Sequence, residues 1–242
     1  MSFGTPGSAP SPMPGYQPQL PNLPVLRSPL GLATALTVLL SIAGLVNLLS
    51  VGVGAYTWSL TQVLTGDPVT VRDDALRQSD VLTGVLASFQ TLSLLATGVV
   101  FIIWFHRVRT NGQVFRPDGF SQSSGWAIGS WFVPVGNLYL PYRIAKQIWR
   151  AAVQPAPDGS SRRVSTAPVT AWWLVWTAST LCDTIVEQLY KRVDTPEGLA
   201  VASGFSAFAG LCTAAAAVLA ILFVRKLTAL QHARAMGPYA GV

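Results

Sequence analysis

The chain has 242 residues, of which half are hydrophobic and only 11% are charged, whereas a soluble domain carries about 25% charged residues. This composition, with several long apolar runs, excludes an ordinary soluble domain and predicts a membrane protein. The net charge of +6 does not indicate nucleic-acid binding, because the basic residues lie beside apolar segments, as the positive-inside rule describes. Cys182 and Cys212 fall inside apolar runs and are expected to be small buried side chains, not a disulfide or metal ligands.

Residues 1–28 are rich in proline and glycine and contain one charge, Arg27. Such a segment buries too little apolar surface to offset its ordering entropy, so it is predicted to be a disordered cytoplasmic tail with local polyproline II structure. A ligand for a proline-binding domain is the functional alternative. The segment lacks the basic start of a cleavable signal peptide. Residues 237–242 are predicted to be a second short tail.

The helical membrane domain, residues 29–236, is predicted to contain four transmembrane helices. Each apolar run has at least the roughly 20 residues that a helix needs to cross a bilayer. Ser206, Gly210 and Ala214 repeat every four residues in the last span, which predicts a close packing face. Residues 57–80 are interpreted as a polar loop, and Asn111-Gly112 as a helix end after the second span. The predicted spans are 30–56, 82–105, 169–190 and 199–224.

The stretch 125–152 is hydrophobic but too broken to be a fifth span. Its apolar part, 126–140, contains Pro134, which removes a backbone donor and is followed at once by Gly136-Asn137. Pro141 is suited to the first turn of a new helix. In that helix the basic residues Arg143, Lys146 and Arg150 share one face, and apolar residues share the other. This pattern predicts a re-entrant or interfacial segment followed by a basic amphipathic helix in contact with anionic lipid headgroups.

The distribution of lysine and arginine favours four spans with both termini in the cytoplasm. In that topology twelve basic residues lie inside and four lie outside. A fifth span through 126–140 would invert the following helices and weaken the bias. We therefore expect a multi-pass protein of the bacterial plasma membrane, with 125–152 on the cytoplasmic side. The other helices are expected to cover its non-helical part, whereas the basic helix is expected to lie in the plane of the membrane interface.

A polar layer inside the membrane is the one constellation with chemical interest. In the predicted topology Asn47, Gln90 and Asp183 lie at nearly the same depth, and ionisable residues at that depth often mark function. The layer could bind a proton, a cation or a small polar ligand. The structural alternative is that Asp183 and Glu187, one turn apart, reach the outer interface and join a salt-bridge ladder with Lys191.

The runs W-F-H-R-V-R from Trp104, G-W-A-I-G-S-W-F-V-P-V-G-N-L-Y-L-P from Gly125 and I-W-R-A from Ile148 carry a family resemblance. They resemble the domain of unknown function 4328 (DUF4328), a membrane family common in actinobacteria, over roughly residues 82–225 and the first span. The resemblance implies several helices around the broken motif and no established activity. In this chain the structural or partner-binding motif positions are Trp126, Trp131, Phe132, Pro134, Asn137, Pro141 and Trp149. We expect Asn137 to satisfy backbone groups freed by Pro134.

No catalytic motif indicates an enzyme, a cofactor or a metal centre, since HExxH, GxSxG, P-loop and dinucleotide-binding patterns are all missing from the sequence. We therefore expect a non-enzymatic interaction, sensory or accessory module, whose partners are the bilayer, anionic lipid headgroups and a membrane protein or a second copy. The alternative is a small transporter or channel that uses the polar layer.

Overall fold

A computed structural model describes residues 25–66, 73–154 and 164–237, and every regular element in these ranges is helical. The prediction of an all-helical protein is therefore confirmed for the described chain. The predicted tails up to residue 24 and from 238, residues 67–72 of the predicted polar loop, and two of the twelve basic residues expected inside, Arg162 and Arg163, lie outside the described residues. The helices are α1 (Leu30–Gly66), α2 (Asp73–Phe115), α3 (Trp126–Gly129), α4 (Leu140–Ala152), α5 (Ala167–Tyr190) and α6 (Pro196–Met236).

Within the described ranges, three helices are long and apolar enough to cross a membrane, namely Leu30–Ser59, Arg77–Phe115 and Gly198–Met236. The predicted span 169–190 corresponds to α5, whose 24 residues would extend about 36 Å. Helix α5 is not among these three, and it contains three tryptophans, Asp183 and Glu187.

The ends of the long helices differ from the sequence-based prediction. The polar loop predicted at 57–80 is largely helical, because α1 runs on to Gly66 and α2 begins at Asp73. The helix end predicted at Asn111-Gly112 is wrong, since α2 continues to Phe115. Gly112 stays helical and serves packing instead, because a Cβ there would lie 2.8 Å from the ring of Phe120.

Long helices that lie side by side pack antiparallel. On α1 and α6, Gly44 faces Ala217 while Val51 faces Gly210, so the numbering rises along one helix as it falls along the other. A Cβ on Gly210 would lie 2.6 Å from Val51, which confirms Gly210 as a close-packing position.

The same antiparallel register joins α5 to α6 and α1 to α2. Trp172 stacks on Phe223 with ring centroids 4.5 Å apart, and Tyr190 donates to Ser203 at 3.4 Å. The helices lie in the order α2, α1, α6, α5, because only these neighbours pack along their length. Helices α2 and α5 therefore form the two edges of the arrangement.

The packed core lies at one end of the bundle, which we call the α4 end. Buried side chains concentrate in the last turns of α2 and α6, the first turns of α5, and α4 itself. Much of the spanning part of α2 is exposed on most sides, as expected for a helix in lipid. The largest fully buried side chains are Trp104, Trp149, Arg109, Phe105, Phe223, Leu36, Ile144, Ile148, Leu227, Gln231, Val108 and Val169.

Candidate functional site

Helix α4 begins at Leu140 with a proline in its first turn, as Pro141 predicts. Its apolar face is fully buried, with Ile144, Ile148 and Trp149 at most 1% exposed, and it packs against α2, α5 and α6. The expectation that this face lies in the lipid interface is therefore wrong. The apolar residues recur along α4 at helical spacing because this face of the helix packs in the protein core, not because it faces lipid.

The opposite face of α4 points outward and is basic. Arg143 and Arg150 are exposed, and Lys146 is half-buried, with its ammonium 4.9 Å from the centre of the Tyr142 ring. Tyr142 also shares a hydrogen bond of 3.0 Å with Thr170. That hydrogen bond lowers the pKa of the Tyr142 phenol, an effect that burial opposes and Lys146 reinforces.

Basic residues dominate the whole α4 end. Within the described part of the chain, Asp118 is the only acidic residue near it, and the one salt bridge, between Lys191 and Glu187, lies at the far end of the bundle. The cations of the α4 end consequently have no carboxylate partners among the described residues. They are Arg27, Arg107, Arg109, Arg116, Arg143, Lys146, Arg150, Arg225, Lys226 and Arg234.

Arg234 holds three helices together at this end. Its guanidinium donates to the backbone carbonyls of Ala151 and Val153, where α4 ends, and to that of Phe115 at 2.8 Å, where α2 ends. Because the last carbonyls of a helix lack partners within the helix and carry partial negative charge, one cation from α6 satisfies two helix C-termini. No sequence pattern indicates this role, since hydropathy and charge identify Arg234 only as a cytoplasmic cation.

Arg109 is also used internally although it has no carboxylate partner. It is 2% exposed and donates to the carbonyl of Gln122 at 2.6 Å and to Gln113 Oε1 at 3.1 Å. Its guanidinium lies 3.6 Å from the centre of the Phe120 ring. Arg109 therefore fixes the connection between α2 and α3 by hydrogen bonds and a cation–π contact.

The chain that precedes α1 is fastened to the α4 end by Asn111. The backbone N–H of Arg27 donates to Asn111 Oδ1 at 3.0 Å, and Asn111 Nδ2 donates to the Arg27 carbonyl at 2.8 Å. Gln231 of α6 accepts from Asn111 at 3.3 Å and donates to the carbonyl of Val108 at 2.8 Å. Residues 25–28, which the sequence analysis assigned to the tail, are thus part of the structure. The segment before α1 and the C-terminal part of α6 therefore meet at the α4 end.

The broken motif enters the bundle and leaves it at the α4 end. Helix α3 has only four residues, so 126–140 does not form a fifth spanning helix. Trp131 packs edge-on against Phe101 of α2 and Trp176 of α5, with centroids 5.4 and 5.8 Å away. Phe101 lies ten residues before Asn111, so the motif reaches about 15 Å into the bundle. We call residues 126–140 the Trp131 wedge, because Trp131 packs between Phe101 and Trp176 where α2 and α5 meet.

The tip of the motif is apolar, exposed and strained. Val135 is 81% exposed and has φ 60°, a conformation that β-branched residues rarely adopt. The N–H of Gly136 donates to the Pro134 carbonyl at 2.6 Å, which closes a γ-turn around Val135. Phe132 is 71% exposed, so the tip presents apolar side chains outside the core.

The remaining motif residues divide between the surface and the core. Trp126 is 39% exposed, whereas Trp149 is 1% exposed and donates its indole N–H to the Ser165 carbonyl at 3.1 Å. The role expected for Asn137 is wrong. Its side chain makes no hydrogen bond to any residue that the structure describes, and its backbone N–H donates to the Val133 carbonyl at 2.9 Å. Short turn hydrogen bonds, rather than the amide side chain, satisfy the backbone around Pro134.

The residues of the predicted polar layer form two separate pairs. Gln90 donates to Asn47 Oδ1 at 3.3 Å across α1 and α2. Asp183 is exposed and accepts a hydrogen bond of 3.4 Å from Thr213 across α5 and α6. No hydrogen bond links the two pairs among the described residues. Glu187 is bound by Lys191 at 2.5 Å, which is one rung of the alternative salt-bridge ladder.

Comparison with known proteins places this helical arrangement in a family. No curated protein matches the chain, and no solved structure matches it. A family profile described as "Domain of unknown function (DUF4328)" matches residues 67–229, which include α2 to α5, α6 up to residue 229, the Trp131 wedge and the basic helix. The match leaves out the first span, which the resemblance in the sequence had included. Because the matched region is well over half of the chain, the protein belongs to the DUF4328 family.

Proposed function

We propose that the protein is a four-span plasma-membrane accessory module whose α4 end is a rigid, basic platform for anionic lipid headgroups. One observation carries the proposal: the apolar face of α4 is locked into the protein core, so Arg143, Lys146 and Arg150 project from a fixed scaffold. Without carboxylate partners, these cations are free to bind phosphate groups at the membrane surface. The module is non-enzymatic in this proposal.

The antiparallel register supports the fourth span. Helix α5 lies beside α6 along its length, from Trp172 against Phe223 at the α4 end to Tyr190 against Ser203 at the other. If α6 crosses the bilayer, α5 is embedded beside it over the same depth. Both ends of the described chain then lie on one side, and the excess of cations there favours the cytoplasmic side.

The headgroup proposal is tested by titrating the detergent-solubilised protein with short-chain phosphatidylglycerol and, as the uncharged comparison, phosphatidylcholine. A polybasic surface gains about 1 kcal/mol per basic residue from an anionic membrane. The double variant Arg143→Gln/Arg150→Gln should therefore bind phosphatidylglycerol about 30-fold more weakly. The matched control, Arg77→Gln/Arg192→Gln, neutralises two exposed cations at the far end and should leave binding unchanged.

Equal weakening by both double variants would show only a general effect of net charge, and unchanged binding in the α4 variant would refute the platform.

The topology has its own test. A cysteine at Ser160, in a chain with both native cysteines replaced by alanine, should react with an impermeant maleimide only after cell lysis. Labelling of this cysteine on intact cells would overturn the four-span arrangement.

A small transporter or channel is the second candidate function, and one observation favours it. Asp183 lies within α5 and has only a hydroxyl, that of Thr213, as a hydrogen-bond partner among the described residues. A carboxylate within a membrane span usually faces a partner or a water-filled cavity.

A further inference from the structure

Helices α2 and α5 meet at the α4 end and separate toward the far end. Phe101 and Trp172 are in contact, with ring centroids 5.8 Å apart. Leu94 precedes Phe101 by seven residues and Asp183 follows Trp172 by eleven, so each lies on the same helix face as its aromatic partner. Yet Leu94 is 69% exposed, and Asp183 is exposed as well. The two facing surfaces therefore line an open cleft beyond the aromatic contact.

Aromatic rings form the floor of this cleft. The Trp131 wedge fills the space between the two helices, and Trp176 packs against it with centroids 5.8 Å apart. Thr180 and Asp183 follow Trp176 by four and seven residues, so they continue the same face of α5 above the floor. The cleft thus combines an aromatic base with one carboxylate about two helical turns above it.

Among the described residues, no cation pairs with the carboxylate of Asp183. It accepts a hydrogen bond from the Thr213 hydroxyl at 3.4 Å, and Lys191 is already bound to Glu187. The sequence has no lysine or arginine in residues 30–66, 78–106, 164–190 or 193–224. A second copy of the chain could therefore supply no cation at this depth, and lipid tails carry none.

The depth also argues against a lipid headgroup as the partner. Asp183 lies seven residues before Tyr190, where α5 ends, which places it about 10 Å from the end of the helix. A bare metal ion fits poorly, because no group of three or more histidine, cysteine, aspartate or glutamate residues gathers within the described ranges. An ion with its own apolar body satisfies both the charge and the surroundings.

We propose that the cleft binds a lipophilic organic cation, a protonated amine or a quaternary ammonium-type ion. Its charge lies beside Asp183, and its apolar body packs on Trp176 and the Trp131 wedge, where cation–π attraction adds to burial. The proposal rests on the four-span arrangement and on the second candidate function, but not on headgroup binding at α4. In this proposal Asp183 selects the ligand by its positive charge. Asn47 and Gln90 take no part in binding and instead hold α1 against α2.

The test is equilibrium binding of radiolabelled tetraphenylphosphonium to the full-length protein in nanodiscs of phosphatidylglycerol, a lipid without an amine. Empty nanodiscs give the background. The protein should show saturable binding that Asp183→Asn weakens at least about tenfold. Glu187→Gln is the matched control, because its carboxylate is one turn away and occupied by Lys191, and it should change affinity by less than about twofold. Circular dichroism melting of both variants verifies that they are folded.

Two results would overturn the proposal: no saturable binding up to about 1 mM probe, or equal binding by the protein and folded Asp183→Asn. Displacement of the probe by sodium as effectively as by an alkylammonium ion would also overturn it, in favour of an inorganic cation. Competition by added phosphatidylethanolamine would overturn the argument from depth and assign the site to a lipid headgroup amine. Failure of binding would leave the Ser160 labelling result unaffected, so the two proposals fail separately.

Discussion

Replacing Arg234 with methionine should destabilise the α4 end more than any other single change of a basic residue on α6. Methionine preserves much of the length of the side chain but removes all donors. The carbonyls of Ala151, Val153 and Phe115 then lose the group that satisfies them. Since these carbonyls terminate α4 and α2, their loss of a partner loosens the junction of three helices at once.

The size of the effect follows from the contacts. A hydrogen bond to a charged group contributes about 1.5–3 kcal/mol, so three such bonds set an upper range of about 4.5–9 kcal/mol. Arg234 is half-buried, and water can reach part of this site, so we expect about 3 kcal/mol. For a domain of this size 1 kcal/mol corresponds to about 2–4 °C in Tm. The expected drop is therefore about 6–12 °C.

Thermal unfolding in detergent, followed by tryptophan fluorescence, provides the assay, because six of the eight tryptophans lie in the aromatic cluster near this junction. Arg225→Met is the matched control, since Arg225 is an exposed arginine of the same helix. Arg234→Lys should fall between Arg234→Met and the unchanged protein, because lysine keeps the charge but not the planar fork of donors. If Arg234→Met and Arg225→Met melt within about 2 °C of each other, the three-helix role of Arg234 is refuted.

Two further changes test the broken motif and the chain before α1. Val135→Gly should raise stability by about 0.5–1 kcal/mol, because glycine tolerates the positive φ and the relief of strain exceeds its entropy cost. The control Val133→Gly, at a position without a positive φ, should lower stability. A loss of stability in both variants would argue against strain at Val135. Asn111→Ala should speed amide hydrogen exchange at Arg27 by about 5- to 30-fold, since the reciprocal pair is worth about 1–2 kcal/mol. Unchanged exchange at Arg27 would show that other contacts hold this segment.

Local sequence rules predicted much of the fold. The first span was expected to begin at residue 30, and α1 begins at Leu30. The helix expected after the motif has Pro141 in its first turn, because proline fixes φ and lacks the donor that this position does not need. Both features depend on covalent chemistry within a few residues, so the sequence alone is sufficient.

The extent of α2 and α6 could not be predicted in the same way. The apolar runs end near residues 105 and 224, but the helices continue to Phe115 and Met236. Their polar ends are held by contacts over long sequence distances, such as Asn111 with Gln231 and Arg234 with Phe115. Hydropathy counts these side chains as polar and cannot show that they satisfy one another.

By itself the sequence determined that the chain is helical, that it is apolar enough for a membrane, and that the stretch 125–152 breaks and restarts as an amphipathic helix. Only the tertiary structure decided what the apolar face of that helix meets. A hydrophobic period of 3.6 residues shows which side chains are buried away from water. A lipid bilayer and a protein core both provide such burial, so the period does not distinguish them. The burial of Ile144, Ile148 and Trp149 against α2, α5 and α6 resolves the choice in favour of protein, because only packing over long sequence distances distinguishes the two apolar surroundings.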